Sequence, residues 1–285
     1  MAIVRSKNST AIWQVLALLL SALYVVPMLY IVMTSLTPGN EPVGQVPSHL
    51  VFSNYVDAFA ASDFGVFLFN SVVVALVSTA IQLILSCAAG YALARLPLPA
   101  SNLILMLLVA LLVVPPEIVM VPLFVMTKSM PLVGGNDIMG QGGQGLIDSL
   151  PGLMVPHVVS ALGIFLMRQF YKDLPEELGD SARMDGASEL RIFAGIYTPL
   201  VIPAAAIVGI FAFQSAWNDF LWPLVMTRSM DMQTLQLGLT VFFQENSTQW
   251  NLLMAVVLTI SLPVLILFLF IQRYFRADVM SGAIK

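Results

Sequence analysis

The chain has 285 residues, 59% of them hydrophobic and only 10% charged, with a mean hydropathy of +0.90. A soluble domain carries roughly 45–50% apolar and about 25% charged residues, and its interior cannot hide this much apolar surface, so a soluble enzyme is excluded. Disorder needs the opposite composition, and 12 Lys+Arg against 16 Asp+Glu leave no basic footprint for nucleic acid; a polytopic membrane protein remains.

A bilayer core of about 30 Å needs about 20 mostly apolar residues in a helix. Six stretches meet that length: 12–34, 67–94, 103–126, 150–170, 200–221 and 252–271. The first follows Arg5 and Lys7, and its apolar run exceeds the roughly 7–15 residues of a signal peptide, so it reads as an uncleaved anchor. The outer loop after it (35–66) holds Glu41, Asp57 and Asp63 and no Lys or Arg. The second span carries Asn70, Ser71, Ser78, Thr79, Gln82 and Ser86, which either glue helices together or line an aqueous path. In the third, Glu117 follows Pro115-Pro116. It is either an intramembrane functional acid or a residue at a water-reached outer end. The Gly-rich run 134–145 lacks the Lys-Ser/Thr of a phosphate loop and reads as a flexible outer loop. Cys87 and His157 read as packed span residues. Gln214, Ser215 and Asn218 in the fifth span repeat the choice between packing and path, and Trp217, Phe220 and Trp222 mark an interface.

Basic residues set the orientation. With both termini cytoplasmic, Arg5, Lys7, Arg95, Arg168, Lys172, Arg183, Arg191, Arg273, Arg276 and Lys285 are inside, and only Lys128 and Arg228 are outside. The expectation is an all-α membrane protein: one transmembrane domain over 1–285, six transmembrane helices, and the long charged connection between the fourth and fifth on the cytoplasmic side. One cysteine and two distant histidines make neither a disulfide nor a metal site. No catalytic constellation and no nucleotide-binding loop is present. The chain reads as a non-enzyme without a cofactor of its own, and any ATP it depends on is hydrolysed by another chain.

The long connection is the most informative segment. Pro175 is placed for a helix first turn, Glu176 and Glu177 suit the positive dipole end, and Gly186 suits the end of that helix after about three turns. Ser188 is placed to cap a second helix running towards Pro199. The small residues Gly179, Ser181 and Ala182 would let a partner approach the first helix closely.

This segment resembles the cytoplasmic loop of bacterial ABC-importer permease subunits, whose pattern is Glu-Ala-Ala, three residues, Gly, nine residues, Ile-x-Leu-Pro. Here it stands as Asp180-Ser181-Ala182, Gly186 and Ile196-Tyr197-Thr198-Pro199, with Asp, Ser and Thr as departures. Asp185-Gly186-Ala187-Ser188, Trp217-Asn218-Asp219-Phe220-Leu221-Trp222-Pro223, Pro116-Glu117 with Pro122-Leu123-Phe124, and the tail Ser281–Lys285 are similar to the carbohydrate-importer branch, to the smaller maltose-type permease. The resemblance implies a multi-pass inner-membrane subunit that moves a sugar or related polyol. It implies a coupling helix that docks on a cytoplasmic ATPase through Glu177, Asp180, Ser181, Ala182, Arg183, Asp185, Gly186 and Ala187. It also implies a second homologous permease, two ATPase copies carrying ATP and Mg, and an extracytoplasmic solute-binding protein. Asn70, Gln82, Glu117, Gln214 and Asn218 are the candidate solute contacts. The competing reading is an ion-coupled secondary transporter with Glu117 as its coupling acid.

Overall fold

The computed structural model describes residues 7–243 and 248–282. Fourteen α-helical segments follow one another among them. They are α1 Lys7–Ser35, α2 Ser53–Ala60, α3 Phe64–Arg95, α4 Ser101–Leu111, α5 Pro116–Lys128, α6 Leu150–Met154, α7 Ala161–Lys172, α8 Glu177–Met184, α9 Glu189–Ile192, α10 Thr198–Leu200, α11 Ile202–Trp217, α12 Leu221–Met226, α13 Leu235–Gly238 and α14 Trp250–Gly282. The described residues form no strand, only an isolated bridge between Phe243 and Thr248.

Among the described residues three stretches are long and apolar enough to cross a membrane unbroken: Trp13–Ser35, Phe64–Arg95 and Trp250–Gln272. Three further pairs qualify if each bent pair is one span: α4 with α5 (105°), Leu150–His157 with α7 (50°), and Glu189–Leu200 with α11 (81°). Proline explains the breaks. Pro115 is extended (ψ 132°) and starts α5 afresh. Pro156 sits in a 3-10 turn, and Pro199 and Pro203 flank the break at Val201. A proline ring removes one helical hydrogen bond and clashes with the carbonyl four residues back. A π-helical turn, Phe193–Tyr197, precedes the third break.

By internal packing the chain divides into two units. One comprises the described parts of Met1–Phe64 and Leu239–Pro263; the other, those of Gly65–Gly238 and Val264–Lys285. In the first, Asn54 is a node. Its amide donates to the carbonyls of Ser35 (2.9 Å) and Thr37 (3.0 Å), and its Oδ1 accepts from Asn251 (3.1 Å). Phe64 stacks on Phe242 at 5.4 Å.

In the second unit α3 and α7 approach at small residues. A Cβ on Gly90 would lie 2.7 Å from Met167 Cβ and 2.8 Å from the backbone nitrogen of Arg168, and one on Gly163 would lie 2.6 Å from Ser86 Oγ. Between helices in lipid there is little hydrophobic drive, and close backbone packing of this kind supplies the association. The polar residues of α3 point inward: Asn70, Ser71, Ser78, Gln82 and Ser86 are all buried. Asn70 donates to the carbonyls of Asp231 (2.7 Å) and Gln233 (2.9 Å), and Ser71 Oγ accepts from the Leu235 N–H (2.8 Å).

Candidate functional site

The connection from α7 to α11 is organised by an aromatic core. Tyr91 of α3 lies 5.6 Å from Tyr171, 5.1 Å from Phe193 and 5.6 Å from Tyr197. Cys87, Met167, Ala182 and Ile192 are buried in the same cluster. Arg95, at the end of α3, reaches across it. Its guanidinium sits 5.0 Å over the Tyr197 ring, donates to the Tyr171 and Leu174 carbonyls, and lies 3.4 Å from Glu176. The Tyr171 carbonyl is in the last turn of α7 and that of Leu174 just beyond it, where a cation also meets the negative end of the helix dipole.

On this base stands α8. It is about two turns long, shorter than the three expected, and starts at Glu177 with Pro175 outside the helix. Its C-terminus closes with the Ala187 N–H on the Ala182 carbonyl (2.9 Å) and the Gly186 N–H on the Arg183 carbonyl (3.0 Å). This pair of bonds is a Schellman motif, and it requires the left-handed backbone that Gly186 adopts at φ +81°. Ser188 stands at the N-cap of α9, extended, but its side chain makes no capping bond. Gly179 and Ala182 are buried and face inward: a Cβ on Gly179 would come within 2.9 Å of the Tyr197 hydroxyl. Their smallness thus serves the chain's own aromatic core. The outward face carries Glu177, Asp180, Ser181, Arg183, Met184 and Asp185, all exposed, with Met184 at 88%.

Arg183 ties this face down. It pairs with Asp180 (2.8 Å) and with Glu189 Oε1 (2.6 Å), and the Tyr91 hydroxyl donates to Glu189 Oε2 (2.9 Å). The hydrogen bonds to Glu189 raise the Arg183 pKa above its ordinary value. The bond from Arg183 lowers that of Glu189, against a burial effect of opposite sign. Asp180, Arg183, Glu189 and Tyr91 therefore form one chain of contacts from the tip of α8 to the end of α3. Arg95, Tyr91, Glu189 and the tyrosine pair were not separable from ordinary span and loop residues by sequence. A basic residue closing a long span, with Tyr91 one turn before it, was the available signal.

The remaining predicted residues divide. Asn70 is committed to two carbonyls. Gln82 is 5% exposed, and among the described residues its amide has no hydrogen-bond partner. It lines a cavity of about 190 Å³ with His157, Ser160, Phe211 and Ser215. Glu117 lines a neighbouring cavity of about 320 Å³ with His157, Ser215 and Asp219. His157 Nε2 lies 3.0 Å from Asp219 Oδ2, while Asp219 Oδ1 accepts the Trp222 N–H (3.2 Å). Gln214 and Asn218 line neither cavity; with Phe211 and Ser215 they form an exposed stripe along one face of α11. His157 is buried as expected, yet it is paired with an acid and shared by two cavities.

The Gly-rich run is a knitted structure, not the flexible loop expected. Asn136 donates to the Lys128 (2.7 Å) and Met130 (3.0 Å) carbonyls and accepts the Gly143 N–H (2.9 Å). Asp148 then accepts from the backbone of Arg228 (2.8 Å) and Ser229 (3.0 Å). Burial pushes the Asp148 pKa up, but these bonds outweigh it and hold it below the usual range. Among the described residues no group of three or more His, Cys, Asp or Glu is placed to hold a metal ion.

Residues 82–281 match the family described as binding-protein-dependent transport system inner membrane component. The chain is 36% identical to the arabinooligosaccharides transport system permease protein of Bacillus subtilis (strain 168), over 94% of this chain and 93% of the relative. It is 30% identical to the sn-glycerol-3-phosphate transport system permease protein of Pectobacterium atrosepticum, over 95% and 96%. It also superposes, with a TM-score of 0.78 and 22% identity, on a chain from the crystal structure of a bacterial ABC transporter involved in the import of the acidic polysaccharide alginate. That likeness covers 96% of this chain and 100% of the other.

Proposed function

This chain belongs to the family of binding-protein-dependent transport system inner membrane components, a family of transport subunits rather than enzymes, and from that premise we propose that it is the smaller permease of an ATP-driven carbohydrate importer. It forms a single permease domain, crosses the membrane six times and keeps both termini in the cytoplasm. The α8 hairpin is then the cytoplasmic coupling helix. The observation that carries this is the combination at α8 itself: a short helix with a charged, exposed outer face, a left-handed Gly186 end, and a base tied to α7 and the Phe193–Tyr197 turn through Arg95 of α3, and to α9 through Arg183.

Mechanically this is what a coupling element needs. A lever transmits force only if its foot is rigid in the body it moves, and here the foot is an aromatic cluster bridging three helices. Glu177, Asp180, Ser181, Arg183 and Asp185 present charge to a groove on the ATPase. Ala182, Gly186 and Ala187 set the helix end and its packing. The ATPase dimer, holding ATP and Mg, closes and draws the docked helices together; α7 and α11 move with them. A ligand-driven shift of this kind needs different affinities for the two states, supplied by ATP at the ATPase and by the solute-loaded binding protein outside.

The solute passes between this chain and a second, homologous permease. An exposed polar stripe on an apolar helix (Gln214, Ser215, Asn218) is costly against lipid and fits a water-filled path between two permease chains. Gln82 and Glu117 open towards the same α11 residue, Ser215. Asn70 is a brace and leaves the set. The solute is an uncharged sugar or polyol, in keeping with the arabinooligosaccharide permease relative. The ion-coupled alternative is not favoured by the family match.

The test is transport by Gly186→Pro and Asp180→Lys in the full complex. Proline cannot adopt φ +81°, and lysine reverses the charge that pairs with Arg183. Both variants should insert normally and lose binding-protein-stimulated uptake and ATP hydrolysis. Normal uptake by both would remove the docking assignment.

A further inference from the structure

The two cavities on α11 adjoin at three shared lining residues, Pro156, His157 and Ser215, and are taken together as one chamber. Its chemistry is uneven in sign. Glu117 and Asp219 both line it, and no Lys or Arg does. Asp219 is half-committed, to His157 and to the start of α12, while Glu117 is exposed and makes no bond among the described residues. At the other end Gln82, 5% exposed as a residue, lines the chamber, and its amide makes no hydrogen bond among the described residues. An amide that reaches a cavity with no protein partner is available to bond a polar group that enters it. An amide donor and acceptor, carboxyl acceptors and the apolar walls Phe211 and Leu162 together suit a ring with hydroxyls on its rim and C–H bonds on its face.

We propose that this chamber is a solute subsite on this chain that takes one uncharged, hydroxyl-rich ring and turns away anionic solutes such as uronates and phosphate esters. The inference rests on the permease reading above and adds to it a site and a charge filter. Gln82 bonds the ring hydroxyls that Asp219 and Glu117 do not, and His157 holds Asp219 in place. The acidic lining repels a solute carboxylate or phosphate, in a chamber whose apolar walls focus the field.

The test uses charged thiol reagents on the assembled complex, in a Cys87→Ser background. A cysteine replacing Ser215 reports the chamber's middle, and one replacing Gln82 its inner end. Reaction rates with a trimethylammonium-bearing and a sulfonate-bearing methanethiosulfonate are each divided by the rate on 2-mercaptoethanol. The normalised ratio at position 215 should favour the cationic reagent about tenfold or more, drop towards one with Glu117→Gln and invert with Glu117→Lys. The cysteine at position 82 should react with the cationic reagent. A ratio near one, a ratio indifferent to Glu117→Gln, or an unreactive cysteine at position 82 would overturn the subsite. Binding-protein-stimulated ATP hydrolysis of the unsubstituted complex is measured separately, and its absence would instead contradict the permease reading.

Discussion

Two connections of the chain solve opposite problems. Between α7 and α11, side chains do the holding: four aromatic rings and two arginines fix the backbone, and a charged helix is left standing outward. Between α5 and α6 the backbone closes on itself at short range, through backbone bonds such as the Gln144 N–H on the Gly134 carbonyl (2.9 Å) and through the Asn136 and Asp137 side chains. Five glycines of the run have positive φ, and a Cβ on Gly134 would lie 1.9 Å from the Gly145 carbonyl oxygen. The first arrangement makes a rigid foot for a reactive surface. The second makes a compact loop closed on its own backbone. Glycine therefore means different things in the two: at Gly186 it is needed for its φ alone, with nothing within 4 Å of an added Cβ, whereas at Gly134 and Gly145 it is needed for space.

Substitutions can break that contrast. The largest effect is expected from Gly134→Ala, where both φ and a backbone clash oppose the methyl group. The loss is on the order of 3 kcal/mol or more, read as a fall of roughly 10 °C in the melting temperature of the detergent-solubilised protein. Arg95→Met comes next. It strands the Tyr171 and Leu174 carbonyls and should cost about 2–3 kcal/mol by the same measurement, with transport falling in parallel. Gly186→Ala should cost only about 1–2 kcal/mol, since the left-handed φ is the sole penalty; an effect as large as that of Gly134→Ala would erase the distinction. Tyr91→Phe removes one donor to Glu189 and should cost about 1 kcal/mol.

The smallest effect concerns pH. Glu189 has a lowered pKa in the folded chain, so its pairing contributes stability above the ordinary carboxylate value of 4.5 and loses it as pH falls through the lower folded value. Melting should therefore be insensitive to this group between pH 6 and pH 8 and decline only on acidification below about 4.5, with Glu189→Gln flattening that decline. A decline already present at neutral pH would assign the sensitivity to another group.

The sequence-level reading of the α8 hairpin succeeded where local chemistry carries the signal. Charge at a helix start, a glycine at its end and prolines beyond are rules of single segments, and Gly186 obeys them. It failed where the meaning is three-dimensional. Gly179 and Ala182 look like an invitation to a partner until Tyr197 is seen to fill the space, and the run 134–145 looks flexible because glycine's role in close approach has no one-dimensional mark. The cavity residues fall between. Gln82 and Glu117 are conspicuous as polar groups in apolar spans, but the helix breaks at Pro115, Pro156 and Val201 that bring them towards His157 and Asp219 bend through angles no periodicity encodes. The three unbroken apolar stretches were legible to within a few residues, because length and hydropathy alone decide them.

The most direct measurement is site-specific photo-crosslinking in the intact complex, with a benzophenone side chain at Met184 on the tip of α8 and, as its counterpart, at Met139 in the Gly-rich connection, both highly exposed. Mass spectrometry of the crosslinked pairs should find position 184 joined to the nucleotide-binding ATPase, and position 139 never joined to it. Crosslinking of position 139 to the ATPase, or of position 184 only to lipid or to the extracytoplasmic binding protein, would contradict α8 as the coupling helix.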